Sequence, residues 1–281
     1  MVVGTTRGKR KLGALMEQYR EKSGLKAEQI IKEVRTTRST WSRMITGEAR
    51  PRWALFFAIL AVMKVSDEER ERAMMLWEVA DDEAVPIKHA NSLPKNYLRF
   101  RRDESEAVAE RSADAVLIPG MLQTAGYAAA LAAGSHLLVP TEDWDEWIAP
   151  ERVDRQALLH RKPDPLRVHA LIDEAALRRK IGGPDVMRAQ LDHLIRLAEL
   201  PNITIQVIPN GLGAYGAFAG NFVILDFADD LGSVYFETLT GGVSVEDGDG
   251  VAKVREVWDD MAAHALSPAE TVEVVRAVRG S

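Results

Sequence analysis

The stretch Thr36-Thr37-Arg38-Ser39-Thr40-Trp41-Ser42-Arg43 places two guanidiniums and several hydroxyls around a single large apolar side chain. At helical spacing Trp41, Met44 and Ile45 share one face, which leaves Arg38, Ser39, Ser42 and Arg43 pointing elsewhere. Arg can donate a bidentate pair to guanine O6 and N7, and Ser can contact a base or a phosphate. The chemistry implied is recognition of a duplex rather than bond-making. Arg7, Lys9, Arg10, Lys11, Arg50 and Arg52 surround this stretch and suit phosphate contacts, with Thr37 beside them, positioning the module without reading sequence.

Other candidate chemistry fails on context. Gly211-Leu212-Gly213-Ala214-Tyr215-Gly216 spells G-x-G-x-x-G after an expected strand, but Ala217 to Asn221 and another strand follow it. A dinucleotide site needs a helix opening there, so a glycine-rich hairpin loop is the better reading. Asp173 and Glu174 are adjacent, and neighbours on a strand or a helix diverge too far to share one site; Asp173 is expected to cap the helix that follows. Of the six His, only His160 and His169 lie near each other, and no H-x-x-x-H spacing supports a metal. Trp144 and Trp147 fit core or interface packing better than a ligand pocket. Cys is absent, which removes disulfides, thiolate metal sites and thiol nucleophiles. No nucleophile elbow is present. The chain therefore reads as a non-enzyme without cofactor or metal, and no ligand-binding residue can be named.

The elements that would hold the recognition stretch are legible. Leu12, Leu15, Met16 and Tyr19 recur as a one-sided helical stripe that ends at Ser23-Gly24. Ala27, Ile30, Ile31 and Val34 form a second, short stripe, Arg35-Thr36 a tight connection, and Thr37 an N-cap for the next helix. Gly47 and Pro51 close that helix. Residues 53–63 are apolar all round but shorter than the ~20 residues of a membrane span, so they read as a buried helix. No signal peptide is expected. Charge agrees with this picture. Residues 1–65 hold 14 Lys and Arg against 5 Asp and Glu, whereas the remainder holds 22 against 37. That asymmetry points to a polyanion-binding module joined to a part with another task.

Residues 12–64 resemble the lambda-repressor-like, XRE-type helix-turn-helix family of bacterial regulators, through Ser39 to Gly47 and the downstream Pro51. The resemblance implies a five-helix domain, with base contacts from Arg38, Ser39, Ser42 and Arg43. Two positions depart from the family pattern. Ala27 stands where a phosphate-holding Gln is common, and Arg35 where the turn often carries Gly.

At 281 residues a second, larger domain is expected. Ser66-Asp67-Glu68-Glu69 is a capping box that opens a helix, and Asp81 to Pro94 reads as the linker. Beyond it, helix is expected over Glu104 to Arg111, Glu151 to Arg161 and Val186 to Leu200, and a short strand at Ala115 to Ile118. Strands are also expected at Arg167 to Ile172, Ile203 to Ile208, Asn221 to Phe227 and Ser233 to Leu239. The last three have short connections, so an antiparallel meander is expected. Ser267-Pro268-Ala269-Glu270 opens a final helix.

Leu117 to Thr124 with Tyr127, Asp154-Arg155-Gln156, Asp173 to Arg178, Gln190-Leu191 and Ile205 to Pro209 carry a second resemblance. Over residues 95–270 the chain is similar to a C-terminal domain of unknown function found on XRE-type regulators of Streptomyces and other actinobacteria. That resemblance implies regulation of development or secondary metabolism, often beside a small acidic partner protein.

Together these readings give an N-terminal all-α, five-helix helix-turn-helix bundle (residues 1–80), a linker (81–94) and a C-terminal α+β domain with a mainly antiparallel sheet (95–281). The expected function is that of a DNA-binding repressor, cytoplasmic and nucleoid-associated. It would bind a double-stranded operator as a homodimer, without membrane contact. Its C-terminal domain would answer to a small-molecule effector or a partner protein. The alternative is a metabolite-binding protein or enzyme that the helix-turn-helix unit only localises.

Overall fold

Thr6 caps the first helix by accepting from the backbone N–H of Lys9, and Gly24, at φ 70°, ends it with an N–H bond to the Glu21 carbonyl. This computed structural model describes residues 5–81, 87, 88, 90, 93–134, 144–216, 220–228, 230–238 and 242–280, without side chains for 144–147, 230 and 231. The chain divides into two units, Met1–Pro86 and Ile87–Ser281. Most of the expected linker, 81–94, lies outside the described residues.

The first unit is helical: α1 (Arg7–Ser23), α2 (Ala27–Glu33), α3 (Arg38–Ile45), α4 (Trp53–Val62) and α5 (Asp67–Val79). Leu12, Leu15, Met16 and Tyr19 of α1 are buried together with Ile30, Trp41, Met44, Phe56, Ile59 and Leu60 in one core. The capping box at α5 forms as expected: Glu69 N–H donates to Ser66 Oγ and Ser66 N–H to Glu69 Oε2. Arg35, between α2 and α3, adopts φ 52°, the left-handed region that explains why a glycine is common in this turn.

In the second unit one sheet runs in the order β3-β2-β1-β4-β5-β6. Its strands are β1 (Ala109–Asp114), β2 (Arg167–Asp173), β3 (Ile203–Ile208), β4 (Phe222–Phe227), β5 (Asp230–Phe236) and β6 (Val243–Val245). β1, β2 and β3 pair parallel, whereas β1–β4, β4–β5 and β5–β6 pair antiparallel. The sheet is mixed, which corrects the expectation of a mainly antiparallel one. The physical reason lies in the connections. The link from β2 to β3 contains α9 (Glu174–Arg178) and α10 (Pro184–Leu197), a crossover long enough to return the chain parallel. β3 therefore joins β2 at the sheet edge instead of pairing with β4.

The helices around the sheet are α6 (Lys95–Glu106), α7 (Ala125–Gly134), α8 (Trp144–Gln156), α11 (Gly248–His264) and α12 (Pro268–Gly280). The expected helix over Glu104 to Arg111 stops at Glu106, and the strand expected at Ala115 to Ile118 lies earlier, as β1. On one face of the sheet Ala113, Leu171, Phe222, Ile224 and Val234 pack with Val251, Trp258 and Met261 of α11 into an apolar core. The opposite face of β1 carries Glu110, Ser112 and Asp114. Near it, Glu104 is fully buried between Arg101 and Arg155, and Arg101 also binds Glu151. Burial alone would raise the Glu104 pKa, but the two guanidiniums prevail and hold it below the ordinary carboxylate value.

Candidate nucleic-acid interface

The recognition stretch forms α3, and its first turn is tied down by Thr37, whose hydroxyl accepts from the Thr40 N–H at 3.1 Å. Trp41 and Met44 are buried in the core, so the helix cannot rotate without exposing both. Arg38, Ser39, Ser42 and Arg43 are all exposed on the other side. The side chain of Arg38 is 81 % exposed and that of Arg43 59 %. Each reaches only a long contact with an exposed carboxylate, Glu28 at 3.4 Å and Glu48 at 3.8 Å. Such surface pairs are worth well under ~1 kcal/mol, so both guanidiniums can be redirected at little cost.

The surrounding bases are less alike than their sequence suggests. Thr37 and Arg52 are exposed and Lys11 is half-buried. Arg10 is buried. Arg50 lies 4.1 Å over the Trp77 ring, donates to the Trp77 carbonyl at 3.1 Å and pairs with Asp81 at 2.9 Å. Lys9 meets the same carboxylate at 2.9 Å. Asp81 thus turns part of the basic cluster into internal structure, a role that its position in an expected linker concealed.

Sequence reasoning also passed over Gly13. A Cβ built there would stand 2.3 Å from the Ile45 carbonyl oxygen and 2.7 Å from that of Met44. The absent side chain lets α1 approach the last turn of α3, and that contact sets the depth of the recognition helix. The only available signal was a glycine inside an otherwise regular apolar stripe.

The remaining candidates resolve into structural roles. Asp173 caps α9 by accepting from the Ala175 N–H and takes a hydrogen bond from the Tyr215 hydroxyl at 2.5 Å. Glu174 pairs with Arg178 at 2.7 Å, so the adjacent carboxylates face different partners. His169 sits 2.6 Å from Gln206 Oε1, with its pKa lowered by burial. His160 lies in a short 3-10 turn, away from that pair in role. Gly211 to Gly216 leads from β3 toward β4, and no α-helix opens there among the described residues; Ala217 to Ala219 lie outside them. The side chains of Trp144 and Trp147 also lie outside the described set. No group of three or more potential metal ligands occurs among the described residues. Likewise, no described helix is long and apolar enough to cross a membrane.

A short helix carrying an exposed Arg and Ser face on a tight helical bundle defines a helix-turn-helix module, here followed by a separate α+β unit. Comparison with known families agrees with both parts. Residues 11–73 match the family model described as a helix-turn-helix domain, and residues 97–277 match the domain of unknown function DUF5753. The second match spans more than half of the chain, and the chain belongs to that family. The pairing is that of an XRE-like helix-turn-helix protein with a C-terminal domain of unknown function. No curated protein and no solved structure matches the chain.

Proposed function

We propose that this protein is a sequence-specific, DNA-binding transcriptional regulator and a repressor of developmental or secondary-metabolism genes. In this reading Arg38, Ser39, Ser42 and Arg43 touch base edges in the major groove, while Thr37, Arg52 and Lys11 hold phosphates. Arg10 and Arg50 act from within the unit, supporting the phosphate-facing surface more than extending to it. Residues 95–281 dimerise the protein at its operator on the nucleoid and receive the signal that sets its occupancy. The observation that carries the reading is the single orientation of α3, with Trp41 and Met44 buried and four hydrogen-bonding side chains exposed opposite them.

The test is a binding titration on an operator obtained by selection from random duplexes. Arg38→Ala and Arg43→Ala are each expected to cost about 1–3 kcal/mol and to relax base preference at one position. A dimer touching roughly 6–10 phosphates should lose about three to five decades of affinity between 50 and 200 mM salt. An Arg43→Ala variant with unchanged affinity and unchanged preference would overturn the placement of the reading face.

A further inference from the structure

The polar face of β1 lines a cavity of about 620 Å³ in the second unit, with walls from α6, α7, α8, β4 and β5. That volume suits a drug-sized organic molecule. β1 is an interior strand, with β2 on one side and β4 on the other, so its side chains are expected to be apolar. Instead Glu110, Ser112 and Asp114 line the cavity at alternate positions. Glu110 and Ser112 are 1 % and 0 % exposed, yet Glu110 Oε2 and Ser112 Oγ have no hydrogen-bond partner among the described residues. Buried polar atoms are rarely left unpaired in a folded protein, and two on adjacent rungs of one strand point to an absent donor.

The charge of that donor follows from the walls. Burial, reinforced by the facing Glu104 carboxylate, pushes Glu110 well above the ordinary carboxylate value, so it keeps its proton and shares it with Glu104. The guanidiniums of Arg101, Arg152 and Arg155 are met by the carboxylates of Glu104 and Glu151, which leaves one positive charge over. Asp114 and Glu237 also line the cavity and carry no ion pair among the described residues, so once Asp114 has released its proton, above about pH 7, the wall is one negative charge in excess. A single cation closes the balance. Besides the polar Gln123, Asn221 and Thr238, the cavity has an apolar and aromatic wall: Phe100 stacks on Tyr235 at 4.4 Å, and Leu117, Ile118 and Leu131 also line it.

We propose that this cavity binds a small organic monocation, a primary amine carried on an apolar or aromatic body. The ammonium sits between Asp114 and Glu237 and donates toward Ser112, while the body lies along Phe100, Tyr235 and the aliphatic wall. Unpaired carboxylates beside an aromatic surface favour an amine over an acid of the same shape, through charge and cation–π attraction together. The inference deepens, and rests on, the reading in which residues 95–281 receive a controlling signal.

The test is calorimetric titration of the full chain with three indoles of similar size: tryptamine (cationic), tryptophol (neutral) and indole-3-propionate (anionic). Tryptamine is expected to bind about tenfold or more tightly than tryptophol, and indole-3-propionate weakest. Asp114→Asn should lower tryptamine affinity about tenfold and leave tryptophol unchanged. Glu237→Gln, at an exposed position, should lower it by less. Equal binding of tryptamine and tryptophol, a preference for indole-3-propionate, no binding of tryptamine, or tryptamine binding untouched by both substitutions overturns the site. Operator affinity measured with and without tryptamine separates the two readings. Binding with unchanged operator affinity keeps the site and overturns ligand control, whereas a lost site leaves the DNA titration above untouched.

Discussion

Asp114 shows most directly how one residue can cost stability in exchange for a site. Burial, with repulsion from Glu237, pushes its pKa up to about 7, against the partial relief from Arg155 and Arg152. Burial raises the Tyr127 phenol above its usual value, and the Asp114 charge adds to that. Below about pH 4 folded and unfolded chains both hold the Asp114 proton. As pH rises from there to about 7 the unfolded chain releases it while the folded chain keeps it, so stability falls across this window. Above it the full cost is present. Asp114→Asn should therefore be more stable than the parent by about 1–4 kcal/mol at pH 8, with the difference shrinking toward pH 4. Urea unfolding at both pH values measures it, and a pH-independent difference refutes the assignment. Nothing in Asp114's sequence neighbourhood announced this, since its partners lie far along the chain. The capping residues were legible because their partners lie within three positions: Thr37 with Thr40, Ser66 with Glu69, and Ser267, whose Oγ accepts from the Glu270 N–H.

At the scale of elements, the sequence revealed helices better than the sheet. The α1 stripe and the exposed side of α3 follow from local periodicity, and the structure forms both. α4 also forms, but it is buried on one side only, through Phe56, Ile59 and Leu60, while Trp53 and Phe57 are exposed, which corrects the expectation of a buried helix. β1 escaped because Ala109-Glu110-Arg111-Ser112-Ala113-Asp114 has no β-branched residue and its cavity-facing positions are polar. Local pattern fails where a strand serves a site instead of a core. Sheet order escaped for a different reason, because pairing depends on which connections cross the sheet and not on any one strand. Helix packing brings its own testable contact. Gly13→Ala forces a methyl against the Ile45 and Met44 carbonyls at the end of α3, where backbone cannot yield as a side chain could. The expected loss is about 1–3 kcal/mol, typical of overpacking, with weakened operator binding before unfolding because α3 is the element displaced. Thermal unfolding and operator titration read the two effects; a G13A chain as stable as the parent would show that α1 and α3 can separate freely.

At the scale of the whole molecule, the charge split acquires a physical division of labour. The basic surplus lies in residues 1–65, yet Lys9 and Arg50 are drawn onto Asp81, so the charge available to a polyanion is smaller than composition suggests. One α3 helix spans about half a turn of duplex, too little contact for a tight and selective complex by itself. The proposed regulator thus needs two copies on one face of the DNA, joined through residues outside the reading helix. Light scattering of the full chain should give twice the 31.1 kDa of one protomer. On a selected operator the two half-sites should lie about 34–36 Å apart, roughly 10 bp centre to centre. Inserting about 5 bp between them turns one half-site to the opposite side of the duplex, so affinity should fall toward that of a single half-site. The same insertion leaving affinity unchanged would mean that each chain binds alone, and residues 95–281 would then have to act on α3 within one protomer.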